Sequence, residues 1–578
     1  MPCSRPAAPF PAARTVLFSA EDRPIPTARL GFRPYSRLGP SPSLIPSPPT
    51  ALRRRTQTNV LESDRRTSMS GCPVMHHGMT KASGCEHVAV SKFGRLLPAT
   101  GSGTLTEQEA AAIGGPGGLM HDFDGTSPDS PIPAGYIFFA QFIDHDVTLD
   151  TTSSLRADPA TVDVDALPNI RSASLDLDCV YGFGPEASPH IYDADRPGHI
   201  AVHPNGFDVA RAPAGQALIG DPRNDENIFV SQMQLLFHRF HNKLLAERVV
   251  QETGSKHFER FEEAQKQTRY HYQWLVLFDF LKRLCDPCVY AHAVPKILAA
   301  DPKKYPYLYQ PDAHGKLRMP VEFSVAAFRV GHTMVRSRYA VNAANLDIEL
   351  FDERFGTLGF NGLPEELAVD WRYLLPVHRC IRPRMAKGLD PKLADEIQAM
   401  PLPVVNSRNP NDRALGFRNL MRGNVMRLPS GQQAAQTLSG HYGSCIDPNL
   451  DLGLEDLFNA AGLDGAKLGA DTPLFYYILR ESEVVHDCQR FGPVGSAILL
   501  EVFGGMLVHC DGTSFVHATD WHPDPCVSKE RWGWWTDEYQ QHFDPSALVS
   551  EPDYYPFELA DVVRFVGDLG DPQGYQSE

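Results

Sequence analysis

The segment from Ala134 to Val147 constrains the fold more than any other part of the chain. It is apolar and aromatic, yet it contains the polar cluster Gln141-Phe-Ile-Asp-His-Asp146. Successive residues of a helix point about 100° apart, so Asp144, His145 and Asp146 must meet three different partners. Gln141 and His145, at positions i and i+4, share one face. Because buried polar groups without partners are costly, the segment predicts a buried helix with either a hydrogen-bond network or a reactive site.

Several other stretches have the apolar periodicity of helices. Residues 229–250 place apolar side chains at spacings of three and four, and residues 273–284, 321–335 and 473–507 have the same character. The last stretch is interrupted around Phe491-Gly492-Pro493. Strand signals are short and isolated, and no internal repeat is found. We therefore expect a mainly α protein, with a single large helical domain and little β structure.

Composition limits the class of protein. The 578 residues are 42% hydrophobic and 21% charged, which is ordinary for a chain with a substantial core. The net charge of -16 argues against nucleic acid as a partner, because phosphate binding needs a basic surface. The absence of any run of eighteen apolar residues argues against a membrane span. The charge itself says little about small substrates.

The N-terminal region differs in composition from the rest. Residues 1–68 are rich in Pro, Arg, Ser and Ala and poor in acidic residues, which predicts a disordered leader or an extension upstream of the true start, for which Met69 is a candidate. The prolines oppose the amphipathic helix of a transit peptide, and no signal peptide is evident, so export is left open. Residues 69–100 are expected to form an N-terminal segment, and residues 101–578 the main domain.

The eleven cysteines are scattered and odd in number, which does not indicate a disulfide framework. Cys285-Asp-Pro-Cys288 is a lone CxxC pair. A redox pair is one interpretation, but two ordinary thiols at a helix end are favoured. The pattern fits a reducing compartment better than an extracellular one.

Three further segments hold polar residues in unusual positions. Gly220-Asp-Pro-Arg223-Asn-Asp-Glu226 precedes a long amphipathic helix and is also ordinary N-terminal capping. Phe328-Arg-Val-Gly-His332 places a histidine in an apolar helix, where Gly331 permits close approach of something flat; a core histidine is the alternative. The third is Phe417-Arg-Asn419-Leu-Met-Arg422. By contrast, His238 and His241 lack a nearby third ligand and are expected to be structural.

These four segments, in this order, resemble the animal haem peroxidase superfamily, which includes myeloperoxidase and lactoperoxidase. The run from Thr472-Pro-Leu-Phe-Tyr-Tyr through Gly492-Pro-Val-Gly to Glu501-Val-Phe is more similar to bacterial and peroxinectin-like members, and the resemblance spans about residues 87–515. It implies the family's helical fold with haem b buried between central helices. It also implies reduction of hydrogen peroxide to water through a ferryl intermediate and oxidation of a halide, thiocyanate or phenol.

The resemblance assigns a role to each unusual residue. It makes His145 the distal histidine, with Arg223 and Gln141 as its catalytic companions. It makes His332 the axial iron ligand, with Asn419 accepting the other ring N–H. It assigns the remaining haem contacts to Asp144 and Glu226, which match the carboxylates that form ester bonds to haem, and to Arg329 and to Arg422, near a propionate.

The resemblance also implies a calcium site. In the family, the residue after the distal histidine binds calcium together with a short loop, and the matching residues here are Asp146, Ser172, Ser174, Asp176 and Asp178. Such oxygen ligands suit a hard cation. Ser172 stands where relatives often have threonine, and Asp178 stands where a serine is usual. A solvated, Asp-rich turn is the alternative.

One departure and two alternatives qualify the resemblance. Asn227 stands where myeloperoxidase has the methionine of its sulfonium link, so that link is not expected. Fatty-acid oxygenases of the same fold carry a radical-forming tyrosine three residues before the axial histidine, where this chain has Arg329. A tyrosine from another helix would restore that alternative. The second alternative is a peroxinectin-like adhesion protein. The electron donor and the oligomeric state are not encoded in any recognisable motif.

Overall fold

A computed structural model describes residues 91–567, apart from residues 102, 124, 126, 150–153, 255, 353–357, 379, 403, 511, 519–520, 522, 524–546 and 552–553. All of these described residues belong to one compact unit, Met69–Glu578. The predicted leader at residues 1–68, and most of the predicted segment at 69–100, lie outside the described residues.

Helices dominate the described part of the chain. They are α1 (Glu107–Gly114), α2 (Gly135–Val147), α3 (Asp178–Tyr181), α4 (Gly184–Ala187), α5 (Ile228–Ala246), α6 (Arg248–Thr253), α7 (His257–Trp274), α8 (Leu281–Leu284), α9 (Pro287–Leu298), α10 (Asp395–Gln398), α11 (Pro410–Arg413), α12 (Leu415–Val425), α13 (Gly431–Tyr442), α14 (Leu454–Ala460), α15 (Gly465–Ala470), α16 (Leu474–His486), α17 (Pro493–Val508), α18 (Ala547–Ser550) and α19 (Leu559–Val566).

Short strands form three small sheets among the described residues. The strands are β1 (Ser91–Gly94), β2 (Asp129–Pro133), β3 (Pro168–Asn169), β4 (Met319–Pro320), β5 (Arg338–Tyr339), β6 (Ile348–Glu349) and β7 (Met385–Lys387). β1 lies between β3, to which it is antiparallel, and β4, to which it is parallel, whereas β2–β7 and β5–β6 are antiparallel pairs. Because β1 pairs with strands far along the chain, residues 91–94 are part of the same fold as the helices. The predicted mainly α architecture with little β structure is confirmed.

The core is built around α2 and α5. Phe138 of α2 stacks on Phe229 with ring centroids 4.5 Å apart, and Phe142 stacks on Phe237 at 4.7 Å. All four rings are at most 2% exposed. Burying one such side chain stabilises the fold by about 1.5–3 kcal/mol. This aromatic packing fixes the position of α2, and with it the position of the polar cluster near its C-terminal end.

The predicted helix over residues 321–335 is divided into two parts. A π-helical turn spans Glu322–Ala326, and a 3₁₀-helix follows over Ala327–Met334. Ala326 has φ -120° and ψ -78°, outside helical values, and marks the change. Because π and 3₁₀ turns hold different numbers of residues, the change rotates the segment that carries His332 relative to a continuous α-helix.

The prediction of two ordinary thiols at Cys285 and Cys288 is wrong for Cys288. Cys285 is a free, buried thiol, but Cys288 forms a disulfide with Cys445, 157 residues away. The pair joins the first turn of α9 to the short 3₁₀ turn that follows α13. Sequence spacing could not show this pairing, because only the tertiary fold brings these helix ends together. The disulfide also removes the cysteine-based argument for a reducing compartment.

None of the described helices is long and apolar enough to cross a membrane. α17 is fully buried, and its Glu501 accepts hydrogen bonds from the backbone N–H groups of Leu308 and Tyr309, at 2.8 and 3.3 Å. This apolar helix is therefore an internal helix of the core.

Candidate active site

The predicted site residues line two adjoining cavities. The first, of about 290 Å³, is lined by Gln141, Asp144, His145, Arg223, Glu226, Arg329 and His332, together with apolar side chains. The second, of about 280 Å³, shares Arg223 and Arg329 with the first and is also lined by Asn419 and Arg422. The fold thus brings together residues that lie up to 281 positions apart in the sequence, from Gln141 to Arg422.

One wall of the first cavity is formed by α2. His145 is 5% exposed, and its Nδ1 lies 2.7 Å from Oδ1 of Asn224. Burial and the charge of Arg223 lower the pKa of His145 to about 4, so its ring is neutral at physiological pH. One turn earlier, Gln141 donates a hydrogen bond to Glu226 and accepts one from Nδ2 of Asn227 at 3.2 Å. The wall therefore presents a neutral imidazole beside an oriented amide.

Arg223 is held in a short 3₁₀ turn, Pro222–Asp225, that precedes α5. The side chain of Asp221 caps this turn by accepting from the backbone N–H of Arg223 at 2.9 Å, and it also accepts from Nη2 at 2.7 Å. Nη2 donates in addition to the carbonyl of Thr148 at 2.6 Å. Arg211 braces the turn through two bonds to Asp225, at 2.7 and 2.8 Å. These contacts fix the guanidinium group of Arg223 between the two cavities.

The carboxyl groups of Asp144 and Glu226 border the same cavity but differ in ionisation. Burial disfavours ionisation of Asp144, but Arg329, whose Nη2 lies 3.7 Å from its Oδ2, and Arg223 hold the pKa of Asp144 below its usual value. Burial, with the charges of Asp221 and Asp144, raises the pKa of Glu226 to about 7. The cavity therefore holds one firmly ionised carboxylate and one that is partly protonated near neutral pH.

A second wall is formed by the 3₁₀ segment that carries His332. Burial and Arg329 lower the pKa of His332 to about 3, so this ring is also neutral. A Cβ atom built on Gly331 would meet no atom within 4 Å, so the backbone beside His332 is open to the cavity. Asn419 lies against the ring, with its amide nitrogen Nδ2 3.4 Å from Nδ1 of His332. The acceptor role expected for Asn419 requires the amide turned by 180°, so that Oδ1 faces the ring.

An acidic cluster lies directly behind His145. Carboxylate oxygens of Asp146, Asp176 and Asp178 all lie within 4.8 Å of one another. Asp146 accepts from the backbone N–H groups of Leu177 and Cys179 at 3.2 and 3.4 Å. Burial and the charge of Asp176 raise the pKa of Asp146 to about 7. Three crowded, buried carboxyl groups therefore resist simultaneous ionisation unless a positive charge is shared among them.

The predicted serines lie in the same loop. Ser172 donates from Oγ to Asp176 at 2.9 Å and from its backbone N–H to Asp178 at 3.4 Å, and Ser174 is half-buried nearby. Arg171 supplies one positive charge, with Nη1 3.2 Å from Asp178. The oxygen-rich part of the cluster suits a hard cation.

Sequence reasoning missed several residues of the site. Asn224, Asp221 and Arg418 contact or line it, and Gln234 lies behind Asn224. Asn224 follows Arg223 in the sequence, and Arg418 precedes Asn419. The sequence does not show which of the residues next to a site residue turns its side chain toward the cavity. Only the buried polar position of Gln234 within an apolar helix gave a detectable signal.

Comparisons with known proteins agree with this architecture. Residues 156–355 match the family model described as "Animal haem peroxidase". That range includes Arg223, Glu226 and His332 but not His145 or Asn419. No curated protein sequence matches the chain. The predicted resemblance to the animal haem peroxidase superfamily is confirmed.

Two solved structures share the fold. Peroxidase A from Dictyostelium discoideum is 14% identical, with a TM-score of 0.50, and the match covers 73% of this chain and 87% of that one. A fatty acid alpha-dioxygenase from Oryza sativa is 15% identical, with a TM-score of 0.51, and the match covers 74% of this chain and 76% of that one. At these identities the likeness concerns the fold alone.

The residues present fit a haem group. Two neutral imidazoles line one cavity, its walls include apolar side chains such as Phe328, and open space adjoins Gly331. The second cavity adds arginines, which suit carboxylate groups such as haem propionates. The site thus combines imidazole nitrogens, apolar walls and basic groups, which are the kinds of group that bind haem.

Proposed function

We propose that the chain is a haem peroxidase that reduces hydrogen peroxide to water and oxidises a small donor of the halide, thiocyanate or phenol class. The observation that carries this proposal is the pair of neutral imidazoles, His145 and His332, lining one cavity with Arg223 and Gln141. The match to the animal haem peroxidase family supports it.

The roles of the residues follow from their surroundings. When bound, haem supplies an iron centre that accepts electrons from the donor and passes them to peroxide. His332 would hold the iron, and His145, on another wall of the cavity, would be the base that acts on peroxide. His145 takes a proton from one peroxide oxygen and returns it to the departing oxygen. Arg223 stabilises the negative charge that develops as the O–O bond breaks, and Gln141 orders the small molecules beside it.

The remaining polar residues would hold the edge of the haem. Arg329 and Arg422, which line the second cavity, would bind the propionates, with Arg418, which lines both cavities, beside them. Asp144 and Glu226 border the first cavity, where each carboxyl group could form an ester with a haem methyl group. The methyl carbon would lose a C–H bond and be oxidised by two electrons, with hydrogen peroxide as the oxidant that is reduced to water. The ionised state of Asp144 would favour its addition, as a nucleophile, to the oxidised methyl carbon.

The cavity lining favours a peroxidase over a fatty-acid oxygenase. Arg329 occupies the position of the oxygenases' radical-forming tyrosine. Among the described residues, no tyrosine lines either cavity. The full set of expected catalytic side chains also speaks against a fold retained only for adhesion.

We further propose that Asp146, Asp176 and Asp178, with Ser172 and Ser174, hold a calcium ion. The crowding of three carboxyl groups supports this, because a divalent cation would relieve their repulsion. Asp146 follows His145 directly in α2, so the cation would stabilise the end of the helix that positions the catalytic imidazole.

The test of the function is made on the purified full chain. An absorbance spectrum before and after denaturing extraction shows whether haem is bound and whether it is covalently held. Haem-dependent oxidation of a chromogenic phenol should then require hydrogen peroxide. Oxygen uptake with linoleate in the absence of peroxide would instead establish the oxygenase activity and overturn the proposal.

A further inference from the structure

A chain of buried side-chain amides runs from His145 into the core of α5. Nδ1 of His145 lies 2.7 Å from Oδ1 of Asn224, and Nδ2 of Asn224 donates to Oε1 of Gln234 at 2.7 Å. Nε2 of Gln234 donates to the carbonyl of Cys179 at 3.1 Å and lies 2.7 Å from Nε2 of His238. Asn224, Gln234, Cys179 and His238 are each 0% exposed.

The direction of this chain is fixed at its inner end. A backbone carbonyl can only accept a hydrogen bond, so Gln234 must turn its NH₂ group toward Cys179. Its oxygen then faces Asn224, which must answer with its own NH₂ group. The oxygen of Asn224 is left to face His145, and this oxygen can only accept. Each amide thus donates a hydrogen bond toward the carbonyl of Cys179 and presents its oxygen, as an acceptor, toward His145.

We propose that Asn224 and Gln234 are positioning residues that set the tautomer of His145. With its proton held on Nδ1 by Asn224, the ring presents the lone pair of Nε2 to the cavity. The opposite tautomer would present an N–H group there, which cannot accept a proton from peroxide. This inference rests on the proposed function for its catalytic consequence, but the tautomer itself is a property of the protein alone.

The chain of amides also links the catalytic histidine to the acidic cluster by a second route. The backbone N–H of Cys179 donates to Asp146, and the carbonyl of Cys179 accepts from Gln234. The same carbonyl accepts from the backbone N–H of Gly220 at 3.0 Å, which holds it in place independently of Gln234. Cys179 thus holds the loop of the acidic cluster through its N–H group, and its carbonyl sets the hydrogen-bond direction of the two amides that reach His145.

The first test measures the tautomer directly. Long-range ¹H–¹⁵N correlation spectra of histidine-labelled full chain distinguish Nδ1–H from Nε2–H, and the His145 signals are assigned by their loss in His145→Ala. If haem is bound, the spectra are recorded in the diamagnetic ferrous carbonyl form. The wild type should show the Nδ1–H form of His145. Gln234→Leu and Asn224→Ala should show a mixture of tautomers or the Nε2–H form.

A matched control is available on the same helix. Gln232 is equally buried, at 2% exposed, but its amide bonds to the carbonyl of Phe207 and to the backbone N–H of Val369, away from His145. Gln232→Leu should keep the Nδ1–H form, and its thermal unfolding should show how much any buried Gln→Leu change destabilises the fold. The inference is overturned if His145 in Gln234→Leu and Asn224→Ala keeps the wild-type tautomer.

The second test measures the rate constant for reaction with hydrogen peroxide. Gln234→Leu should lower it by about tenfold or more, whereas Gln232→Leu should leave it within about twofold of the wild type. Equal rates in the two variants would contradict the positioning role. If the wild-type chain binds no haem or does not react with peroxide, the proposed function fails, whereas the tautomer measurement still decides this inference.

Discussion

The two walls of the main cavity are held in different ways. His145 lies on a continuous α-helix of 13 residues. Its Nδ1 lies 2.7 Å from Oδ1 of Asn224, which is itself held by a hydrogen bond to Gln234. His332 lies in a 3₁₀ segment that follows a π turn, beside a glycine whose Cα faces open space. Among the described residues, its ring has a single side-chain hydrogen-bonding contact, Nδ2 of Asn419 at 3.4 Å.

This difference indicates for which wall the protein alone sets the orientation of the histidine ring. The orientation of His145 is determined by protein groups alone, through Asn224, Gln234 and Cys179. We expect the orientation of His332 to depend on the metal as well: if Nε2 binds iron, the ring carries its proton on Nδ1 and needs Oδ1 of Asn419 as the acceptor. We therefore expect the His145 wall to be preorganised and the His332 wall to be completed by haem.

The largest effects should come from replacing the two histidines. His332→Ala should release haem or change its absorbance spectrum and abolish haem-dependent oxidation of a chromogenic donor. His145→Ala should leave haem bound with a nearly unchanged spectrum but slow the reaction with peroxide by about 10²–10⁴-fold. Spectra and stopped-flow rates measure both outcomes. Loss of haem from His145→Ala to the same extent as from His332→Ala would contradict the proposed division of roles.

Removal of the proposed calcium ion should damage the His145 wall more than the His332 wall. Exhaustive chelation should lower the peroxide rate by about 10- to 100-fold, with no catalytic residue removed, because Asp146 adjoins His145 in α2. Asp176→Asn should mimic this loss, and added calcium should restore only the chelated wild type.

A control for the acidic change is Asp195→Asn, in an exposed acidic turn outside the cluster. This variant should behave as wild type before and after chelation. Unchanged activity and an unchanged haem spectrum in the exhaustively chelated wild type would refute the coupling between the cation and His145.

The fold was largely predictable because its helices carry strong patterns. Residues 134–147 and 229–250 were predicted as helices, and the structure places α2 and α5 there with boundaries shifted by at most a few residues. The π turn and the 3₁₀ segment that carries His332 were not predicted, since apolar periodicity near 3.6 does not distinguish a continuous helix from one with an inserted residue. The disulfide of Cys288 was missed because it depends on tertiary proximity.

The site was predictable where a residue type is unusual for its surroundings. Gln141, Asp144 and His145 stood out because polar groups in an apolar helix need partners. Asn224 did not stand out, because an asparagine in a capping turn is ordinary, and the one signal for Gln234, a polar residue within an apolar helix, indicated burial without naming a partner. Their importance depends on the direction of hydrogen bonds, which a sequence does not record.

The contact between Asn419 and His332 offers a further test of the wall that we expect haem to complete. Asn419→Ala should weaken haem retention or shift the iron reduction potential, with about a tenfold loss in peroxide turnover, because His332 would lose the acceptor that we propose for its ring. Asn424→Ala is the matched control, since Asn424 is buried on the same helix but bonds to the backbone of Leu105. Reduction potentials and haem-transfer rates measure the effect; equal changes in the two variants would assign Asn419 a purely structural role.

The smallest effect concerns the pH dependence of stability on the His145 wall. Since burial raises the pKa of Glu226 from its ordinary 4.5 to about 7, the folded chain binds this proton more tightly than the unfolded chain. The stabilisation is complete below pH 4.5 and is lost as the pH rises through 7. Glu226→Gln keeps an acceptor for Gln141 but cannot ionise. Its melting temperature relative to wild type should therefore rise by a few degrees between pH 5 and pH 8.

Thermal scans of protein prepared without peroxide measure this difference, and the exposed Glu262→Gln provides the baseline. A difference in melting temperature between Glu226→Gln and wild type that does not change with pH would show that Glu226 is ionised throughout. The wall around it would then be less apolar than its burial indicates. Prior treatment of the haem-bound wild type with peroxide sharpens the test. An ester at Glu226 has no proton to titrate, so the pH dependence that distinguishes wild type from Glu226→Gln should disappear where that bond has formed.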